Sequence, residues 1–462
     1  MRTVHRIGIG FLVGLCFAVG LGIRLSTAER EQVTVLRAQD RRTTVPGTQV
    51  ASAGLEGSAN IDFKPLETLL TVLRSLREHY VEQISATDES KMTYDSLRAM
   101  MGSLGDPNSR FLTPEQRKLV TDASSGSFHG IGAILGVKRI TVAKITDEHL
   151  IVIAPLRGGP AEQAGLKSGD DIVAVDGKSV LPFDPYQRAN AIIKTEWNNK
   201  NVERSKVKKQ LKDEQKRIDN GVAMIDAEGT LISEDKKPVE LTIVRKGSAK
   251  EIKVKVTPAQ FAVAPVTSSV IEDGRLGYVR VNCFCKTTPE LFASAIKEAR
   301  SAQVGGLVLD LRDLAGGDVS TVLGVAKPLM AGRTLATELK SRNRRTGIHV
   351  SDAEPSDTWR GPMAVLVNGG TARMSEVLAS GLRDNGLAKL VGQKTYGDLT
   401  ASTIIDQRDG SAIVMTTGKF VGTKADYNGR GVPVDIEVAS SPSGDAQLRE
   451  AVKLLISAGG KG

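Results

Sequence analysis

The spacing of apolar and polar residues changes along the chain and divides it into segments. Residues 7–23 form an uncharged apolar run, whereas residues 29–60 are polar, contain few large apolar side chains and predict a flexible linker. From there, apolar residues recur every three or four positions, which predicts a helical module over residues 61–125. Strand-like runs separated by glycine turns follow over residues 126–258.

Residues 259–462 have the pattern of an α/β body. The segment LGYVRVNCF predicts a strand, PELFASAIKEARSA predicts a helix, and GGLVLDLRDLAGG predicts a buried strand that ends in two glycines. This alternation predicts a partly parallel sheet with helices on its faces. Ligand sites in such sheets lie at the carboxyl ends of strands, which is where Gly316-Gly317 and Gly369-Gly370 fall.

The stretch over residues 366–399 has the clearest functional layout. It reads as a strand, a glycine-rich turn, a helix and a second strand that ends in glycine. This arrangement often presents a catalytic nucleophile at the amino terminus of a helix. The two positions where chemistry is expected hold Arg373 and Asp398.

Charge and composition narrow the classes of partner. The net charge is +9, but aromatic residues make up only 4% of the chain and no nucleic-acid motif is present, so we do not expect nucleic-acid binding. The apolar run over 7–23 follows Arg2, His5 and Arg6, which predicts export to the periplasm or cell envelope. Residues 1–28 are either a cleaved signal peptide or a retained inner-membrane anchor.

The cysteines and histidines predict no metal centre. Cys283 and Cys285 lie two residues apart on a predicted strand, and we expect them to be buried small apolar side chains. The five histidines show no ligand spacing. We therefore expect neither a metal nor another cofactor.

Residues 126–258 resemble a PDZ domain of the kind found in proteases. The resemblance rests on GSFHGIGAILG and on GGPAEQAGLKSGDDIVAVDGKSV. PDZ domains add a C-terminal peptide as an extra strand and hold its carboxylate with backbone N–H groups of a glycine loop. The resemblance places that loop at Gly130, Ile131, Gly132 and Ala133; the alternative is that these glycines only permit a tight turn.

The predicted PDZ domain carries a charged insertion. Its closing strand, VELTIVRKG, starts only at Val239, which leaves residues 186–238 as extra sequence. Residues 200–217 contain eight Lys or Arg against three Asp or Glu and predict a charged helix. This helix is either a solvated face or a basic arm that contacts anionic lipid or an acidic partner.

Taken together, residues 62–455 resemble the carboxy-terminal processing peptidases, also called tail-specific proteases. GYVRVNCF, LVLDLRDLAGG, VNGGTARMSEVLASGLRDNGLAKLVGQKTYG and GRGVPVDIEV each resemble a family motif, in the family's order. The resemblance implies an exported serine protease with a PDZ domain set into an α/β body of the tail-specific protease type.

The family's catalytic residues are replaced in this sequence. The resemblance places the nucleophile at the first serine of a Ser-Ala-Ser-Glu run and the base at a lysine about 25 residues later. Here Arg373 and Asp398 hold those positions, and Ser402 holds the position of a third family residue, a glutamine. A rearranged dyad of Ser375 and Lys394 is the remaining catalytic alternative, although each is displaced by far more than hydrogen-bond reach.

Several expectations follow from the replacement. Arg373 and Asp398 are expected to pair through charge-assisted, bidentate hydrogen bonds, unless both are exposed and unrelated. By the resemblance, Gly316, Gly317 and the amide of Met374 form an oxyanion-type nest. The leading hypothesis is an inactive homologue that binds protein or peptide C-termini as an adaptor or regulator. The alternatives are an active Ser375/Lys394 endopeptidase and a purely structural envelope protein.

Overall fold

The structure of the chain is a computed structural model. It describes residues 64–142, 145–197, 202–233, 236–245, 247–248, 250–340, 344–441 and 444–459. The predicted export segment and linker over residues 1–60 lie outside this part of the chain. The described residues fall into two units, one up to His79 and one from Tyr80 onward.

The helices follow the predicted periodicity. They are α1 Lys64–His79, α2 Ala86–Gly102, α3 Pro114–Ala123, α4 Pro160–Gln163, α5 Gln187–Ile192, α6 Arg204–Asp219, α7 Met224–Ile232, α8 Thr288–Ser301, α9 Val319–Met330, α10 Met374–Asp384 and α11 Ala446–Gly459, with a π-turn at Ile193–Trp197 and a 3₁₀ turn at Pro355–Asp357. In the parts of the chain that the structure covers, none of these helices is long and apolar enough to cross a bilayer.

The strands form two large sheets in the body and one in the PDZ domain, with short two-stranded pairings besides. They are β1 Arg110–Leu112, β2 Ser127–Phe128, β3 Ala133–Val142, β4 Ile145–Pro155, β5 Asp171–Val175, β6 Lys178–Leu181, β7 Val222–Ala223, β8 Val239–Val244, β9 Glu251–Val256, β10 Phe261–Ala262, β11 Val266–Ile271, β12 Leu276–Val281, β13 Gly306–Asp310, β14 Ala315–Gly316, β15 Thr334–Lys340, β16 Arg345–His349, β17 Met363–Val367, β18 Ala372–Arg373, β19 Lys389–Gly392, β20 Thr400–Asp406, β21 Ala412–Val421 and β22 Ile436–Glu437.

The central sheet of the body has the order β11-β12-β13-β17-β19-β22. All neighbours in it are parallel except β11, which pairs antiparallel with β12 at the edge. Successive residues of a strand point to opposite faces, so Leu307 and Leu309 pack in the core under α8, α9 and α10, while Val308 packs on the other face beneath α11. Burial on both faces explains the uninterrupted apolar runs of β13 and β17. The predicted fold class is confirmed.

A second sheet of the body includes one strand, β1, from the predicted helical module. It has the order β1-β21-β15-β16, with β20 also paired to β21. Residues 61–125 are therefore not purely helical, because Arg110–Leu112 pairs with residues 412–414. A three-residue strand has too short a pattern to be recognised in the sequence, and its partner lies about 300 residues away.

The PDZ domain places its insertion between β6 and α7. Its sheet has the order β3-β4-β5-β6-β7, with β8 paired to β5 and β9, and α7 packs into its core through Leu231. The insertion folds as α5, the π-turn and α6, and α6 falls on the charged segment predicted as a helix. The predicted bounds of the insertion, residues 186–238, are wrong at the carboxyl end, because α7 packs in the core of the PDZ domain.

The two cysteines follow β12 instead of lying on it, because this strand ends at Val281. Both thiols are free and buried, and burial raises the pKa of Cys283 to about 12.

Candidate functional site

Arg373 occupies a sharp turn between strand and helix. Strand β17 leads through a glycine turn into β18, and Arg373 is the residue that caps the start of α10. Its backbone has φ +61° and ψ −121°, the geometry of the first central residue of a type II′ turn, which normally requires glycine. Two bonds hold this conformation, because the Arg373 N–H lies 2.9 Å from the Asp398 carbonyl and 3.3 Å from Glu376 Oε2.

The side chains of Arg373 and Asp398 form the expected ion pair, but with different geometry. Arg373 Nε lies 3.4 Å from Asp398 Oδ2 without a hydrogen bond, so the expectation of a bidentate pair is wrong. Instead Arg373 Nη2 donates to Asn108 Oδ1 at 2.9 Å, and Asn108 Nδ2 donates to Asp398 Oδ1 at 3.3 Å. An asparagine can bridge the two because its amide both accepts and donates.

Asp398 is further held by Thr400, whose hydroxyl donates to Asp398 Oδ1 at 2.6 Å. The Arg373 side chain is 29% exposed and that of Asp398 is 12% exposed. The pair is therefore neither a surface ion pair nor a fully desolvated one. We expect its contribution to the free energy of unfolding to lie between that of an exposed ion pair and that of a fully buried one.

Glu376 fastens the two halves of the site together. Its side chain is fully buried and accepts hydrogen bonds from the hydroxyl of Thr395 and from the amides of Gly397 and Asp398, at 2.7 and 2.8 Å. Burial raises the pKa of the Glu376 carboxyl to about 7, against the effect of these hydrogen bonds, which favour the ionised form. This glutamate therefore fixes the Asp398 loop to the start of α10.

The glycine pair predicted as an anion nest lies beside Arg373. Strand β14 pairs in parallel with β18, which sets Gly316 opposite Arg373. Gly316 has φ +94°, and no atom lies within 4 Å of the place where a Cβ would stand, whereas Gly317 packs against Phe284. Helix α9 starts two residues after Gly317, and α10 starts with Met374. The Asp318 carboxylate caps the N-terminus of α9, so the groups that favour an anion here are the Arg373 guanidinium and the N-terminus of α10.

The alternative catalytic residues lie apart. Ser375 is fully buried, and its hydroxyl lies 2.5 Å from the Leu314 carbonyl and 2.8 Å from the Ala372 carbonyl. Lys394 is exposed, as is Ser402 on β20. The structure therefore does not join Ser375 and Lys394 by a hydrogen bond, and it does not bring Ser402 to the ion pair.

The predicted carboxylate loop of the PDZ domain is closed by α7. The Ile131 N–H donates to the Leu231 carbonyl at 2.8 Å, at the carboxyl end of α7. The Gly130 carbonyl accepts from the Ala259 amide at 2.9 Å, and the Gly132 carbonyl accepts from Leu156 at 2.8 Å. Ala133 starts β3. A peptide carboxylate could bind the Ile131 amide only after the Leu231 carbonyl moves away.

The PDZ domain also contacts the loop that carries Asp398. The ammonium of Lys138, on β3, lies 5.7 Å from the centre of the Tyr396 ring, in cation–π geometry. Burial raises the pKa of Tyr396 to about 12. The candidate site thus lies where the PDZ domain meets the body.

Sequence reasoning missed the role of Asn108. It lies 265 residues before Arg373, in a loop after α2, and only its place after Asp106 and Pro107 marks a turn.

Across the described segments, no group of three His, Cys, Asp or Glu side chains is arranged to hold a metal ion.

Comparison with known families gives two matches. Residues 275–438 match peptidase family S41, and residues 151–192 match a PDZ domain. The S41 match includes Arg373, Asp398 and the two glycines of the nest.

Similar proteins are known from chloroplasts and bacteria. The C-terminal processing peptidase, chloroplastic, of Tetradesmus obliquus is 29% identical over 377 residues, which cover 79% of this chain and 71% of that protein. The carboxy-terminal processing protease CtpB of Bacillus subtilis is 24% identical over 415 residues, covering 88% and 75%. Among solved structures, the photosystem II D1 C-terminal processing protease matches with a TM-score of 0.58 and 26% identity, covering 81% of this chain and 93% of that chain.

Proposed function

We propose that this chain, whose residues 275–438 match peptidase family S41 and whose residues 151–192 match a PDZ domain, binds peptide C-termini without cutting them. In this proposal it acts as an adaptor or regulator in the cell envelope. One observation carries the proposal: an Arg373–Asp398 ion pair, bridged by Asn108, stands where the family resemblance expects the nucleophile and its base.

The chemistry of the two residues supports an inactive site. Arginine keeps its proton at any physiological pH and has no lone pair to attack a carbonyl. A carboxylate at the base position could serve only a nucleophile. The hydroxyl of Thr400 donates to Asp398 Oδ1 at 2.6 Å and accepts from Asn108 Nδ2, and the hydroxyl of Ser375 is buried against two carbonyls. Arg373 and Asp398, which hold the positions of the family dyad, therefore lack the nucleophile that acyl transfer needs.

The same arrangement supports carboxylate binding. A guanidinium, the N-terminus of α10 and the open space at Gly316 lie together. Arginine binds carboxylates through charge-assisted hydrogen bonds, and a helix N-terminus favours negative charge. The terminal carboxylate of a peptide is the ligand that this combination fits. The Ile131 amide of the PDZ loop supplies a second binding point for the peptide once its hydrogen bond to the Leu231 carbonyl of α7 has broken.

Binding is tested with a labelled unstructured peptide that ends in a free carboxylate, compared with the same peptide ending in an amide. Fluorescence anisotropy should show tighter binding of the free acid, and Arg373→Gln should weaken that binding by about tenfold or more. Arg383→Gln is the matched control, because Arg383 forms an ion pair of the same 3.4 Å length with Asp435 at the opposite end of α10. Equal affinity for the acid and the amide would contradict the proposal.

Cleavage is tested with unstructured substrates that carry a C-terminal tail. The natural chain should leave them intact, whereas the double variant Arg373→Ser, Asp398→Lys restores the residues of the family dyad and provides the positive control. Cleavage by the natural chain that Ser375→Ala abolishes would refute the inactive-site proposal and favour the rearranged dyad.

A further inference from the structure

The insertion of the PDZ domain presents a rigid row of lysines. Helix α6 packs against the domain through Val207 and Glu214, which are 1% and 7% exposed. At 100° per residue, Lys209, Lys212 and Lys216 lie on the side of the helix opposite these two residues. All three lysines are exposed. Because the inner face is buried, the lysines are held in place as one row.

The charge of this helix is strongly positive. Over Arg204–Asp219 there are seven Lys or Arg against three Asp or Glu. Arg217 Nε donates to Glu214 at 2.9 Å, so that pair neutralises itself and leaves six basic residues against two acidic ones. Glu196 and Glu203 precede the helix and reduce the excess without cancelling it.

Large apolar side chains are exposed on and just before the two elements that pack against α6. Tyr186, Ile193 and Trp197 are 52%, 45% and 38% exposed, and Phe183 is 45% exposed. Ile193 and Trp197 are the ends of the π-turn, so they are four positions apart and project in similar directions. Both α5 and the π-turn pack against α6. A purely solvated helix pair would have no reason to expose a tryptophan, a tyrosine and an isoleucine.

We propose that α5, the π-turn and α6 of the insertion dock on an anionic lipid surface. Lysine rows attract the phosphate groups of anionic lipids, and tryptophan and tyrosine settle at the boundary between headgroups and acyl chains. An acidic protein would satisfy the lysines, but it would not account for the exposed Ile193 and Trp197. This proposal is independent of the proposed function, since none of these residues lies in the candidate site.

Trp197 provides a local probe of docking. The chain has two tryptophans, and Trp359 is 7% exposed, so a change of emission on docking arises from Trp197. Full-length protein is mixed with vesicles of equal parts phosphatidylglycerol and phosphatidylcholine, and with vesicles of phosphatidylcholine alone. A blue shift with the anionic vesicles, absent in Trp197→Phe and reversed by salt, is the expected result.

Reversing the charge of the lysine row tests whether these lysines cause the docking on anionic vesicles. The triple variant Lys209→Glu, Lys212→Glu, Lys216→Glu should weaken the blue-shift titration by at least about tenfold. The control reverses three exposed lysines of the body, Lys286, Lys297 and Lys419, and should change the titration by less than about threefold for the same change in net charge. The apolar run over residues 7–23 is the same in every variant, so differences among them report on the insertion.

Three results would overturn the proposal. The first is an equal Trp197 shift with anionic and neutral vesicles. The second is a triple variant that titrates like its control. The third is a Trp197 shift with polyglutamate but not with anionic vesicles, which would assign the insertion to an acidic polypeptide.

Discussion

Replacing Arg373 by glycine should destabilise the protein less than replacing it by alanine. Both changes remove the same ion pair with Asp398 and the same hydrogen bond to Asn108. They differ only in backbone preference, because glycine adopts φ +61°, ψ −121° without strain and alanine does not. The comparison therefore isolates the strain that the turn imposes on residue 373.

The size of the difference follows from the backbone geometry. A non-glycine residue in a sparsely populated region costs about 1–3 kcal/mol. Glycine loses more conformational entropy on folding than alanine does, which offsets about 0.5–1 kcal/mol of the strain that it relieves. The Arg373→Gly variant should thus have a free energy of unfolding about 1 kcal/mol higher than Arg373→Ala. Arg373→Ala should also be less stable than the natural protein, because it loses the ion pair and keeps the strained backbone.

Urea unfolding, followed by the fluorescence of the buried Trp359, measures this difference in a Trp197→Phe background. Arg383 provides the control, since its Nε also lies 3.4 Å from an aspartate oxygen and its side chain is 27% exposed. Because Arg383 is in the regular part of α10, Arg383→Gly should be less stable than Arg383→Ala by about 1 kcal/mol, the opposite sign. If glycine proves worse than alanine at residue 373 as well, the strained turn is refuted.

Three further predictions concern the same region and the PDZ loop. Asp398→Asn should lower the free energy of unfolding by about 1–2 kcal/mol in urea titrations, and that loss should shrink when Arg373 is already glutamine. The pKa of Glu376, about 7, lies above its unfolded value of about 4.3, so the folded state binds more protons between these values. Stability should therefore fall by up to about 3 kcal/mol as pH rises from about 4.5 to 7, and Glu376→Gln should abolish this slope in urea midpoints measured across that range. Gly130→Ala places a methyl group against the carboxyl end of α7, at a residue with φ +86°. It should lower the melting temperature more than Gly158→Ala, because Gly158 has a similar φ of +72° but no neighbour within 4 Å of the added Cβ. Equal losses of melting temperature would mean that α7 does not close the loop.

Much of the architecture could be read from local pattern. The alternation of strands and helices predicted the body, and the motifs around residues 366–399 predicted where the sheet would present a site. Those features depend on periodicity and on turn residues, which act over a few positions. The charged insertion was predicted as a helix for the same reason, and α6 occupies most of that segment.

The details that sequence reasoning missed depend on distant contacts. Asn108 bridges Arg373 and Asp398, which do not form a bidentate pair, but it comes from a loop 265 residues earlier. The amide of Ile131 was expected to be available to a peptide, yet the Leu231 carbonyl, 100 positions later, accepts it. No local pattern encodes either contact.

The sequence by itself determined the order of elements, the resemblance to a peptidase family and the identity of the two residues at the dyad positions. Only the tertiary structure decided how those residues meet: through a bridging amide, on a strained turn, with Glu376 buried beneath them. The reason is physical. Side-chain identity and periodicity are properties of neighbouring residues, whereas burial, hydrogen-bond partners and backbone strain arise when segments far apart in the chain are packed together.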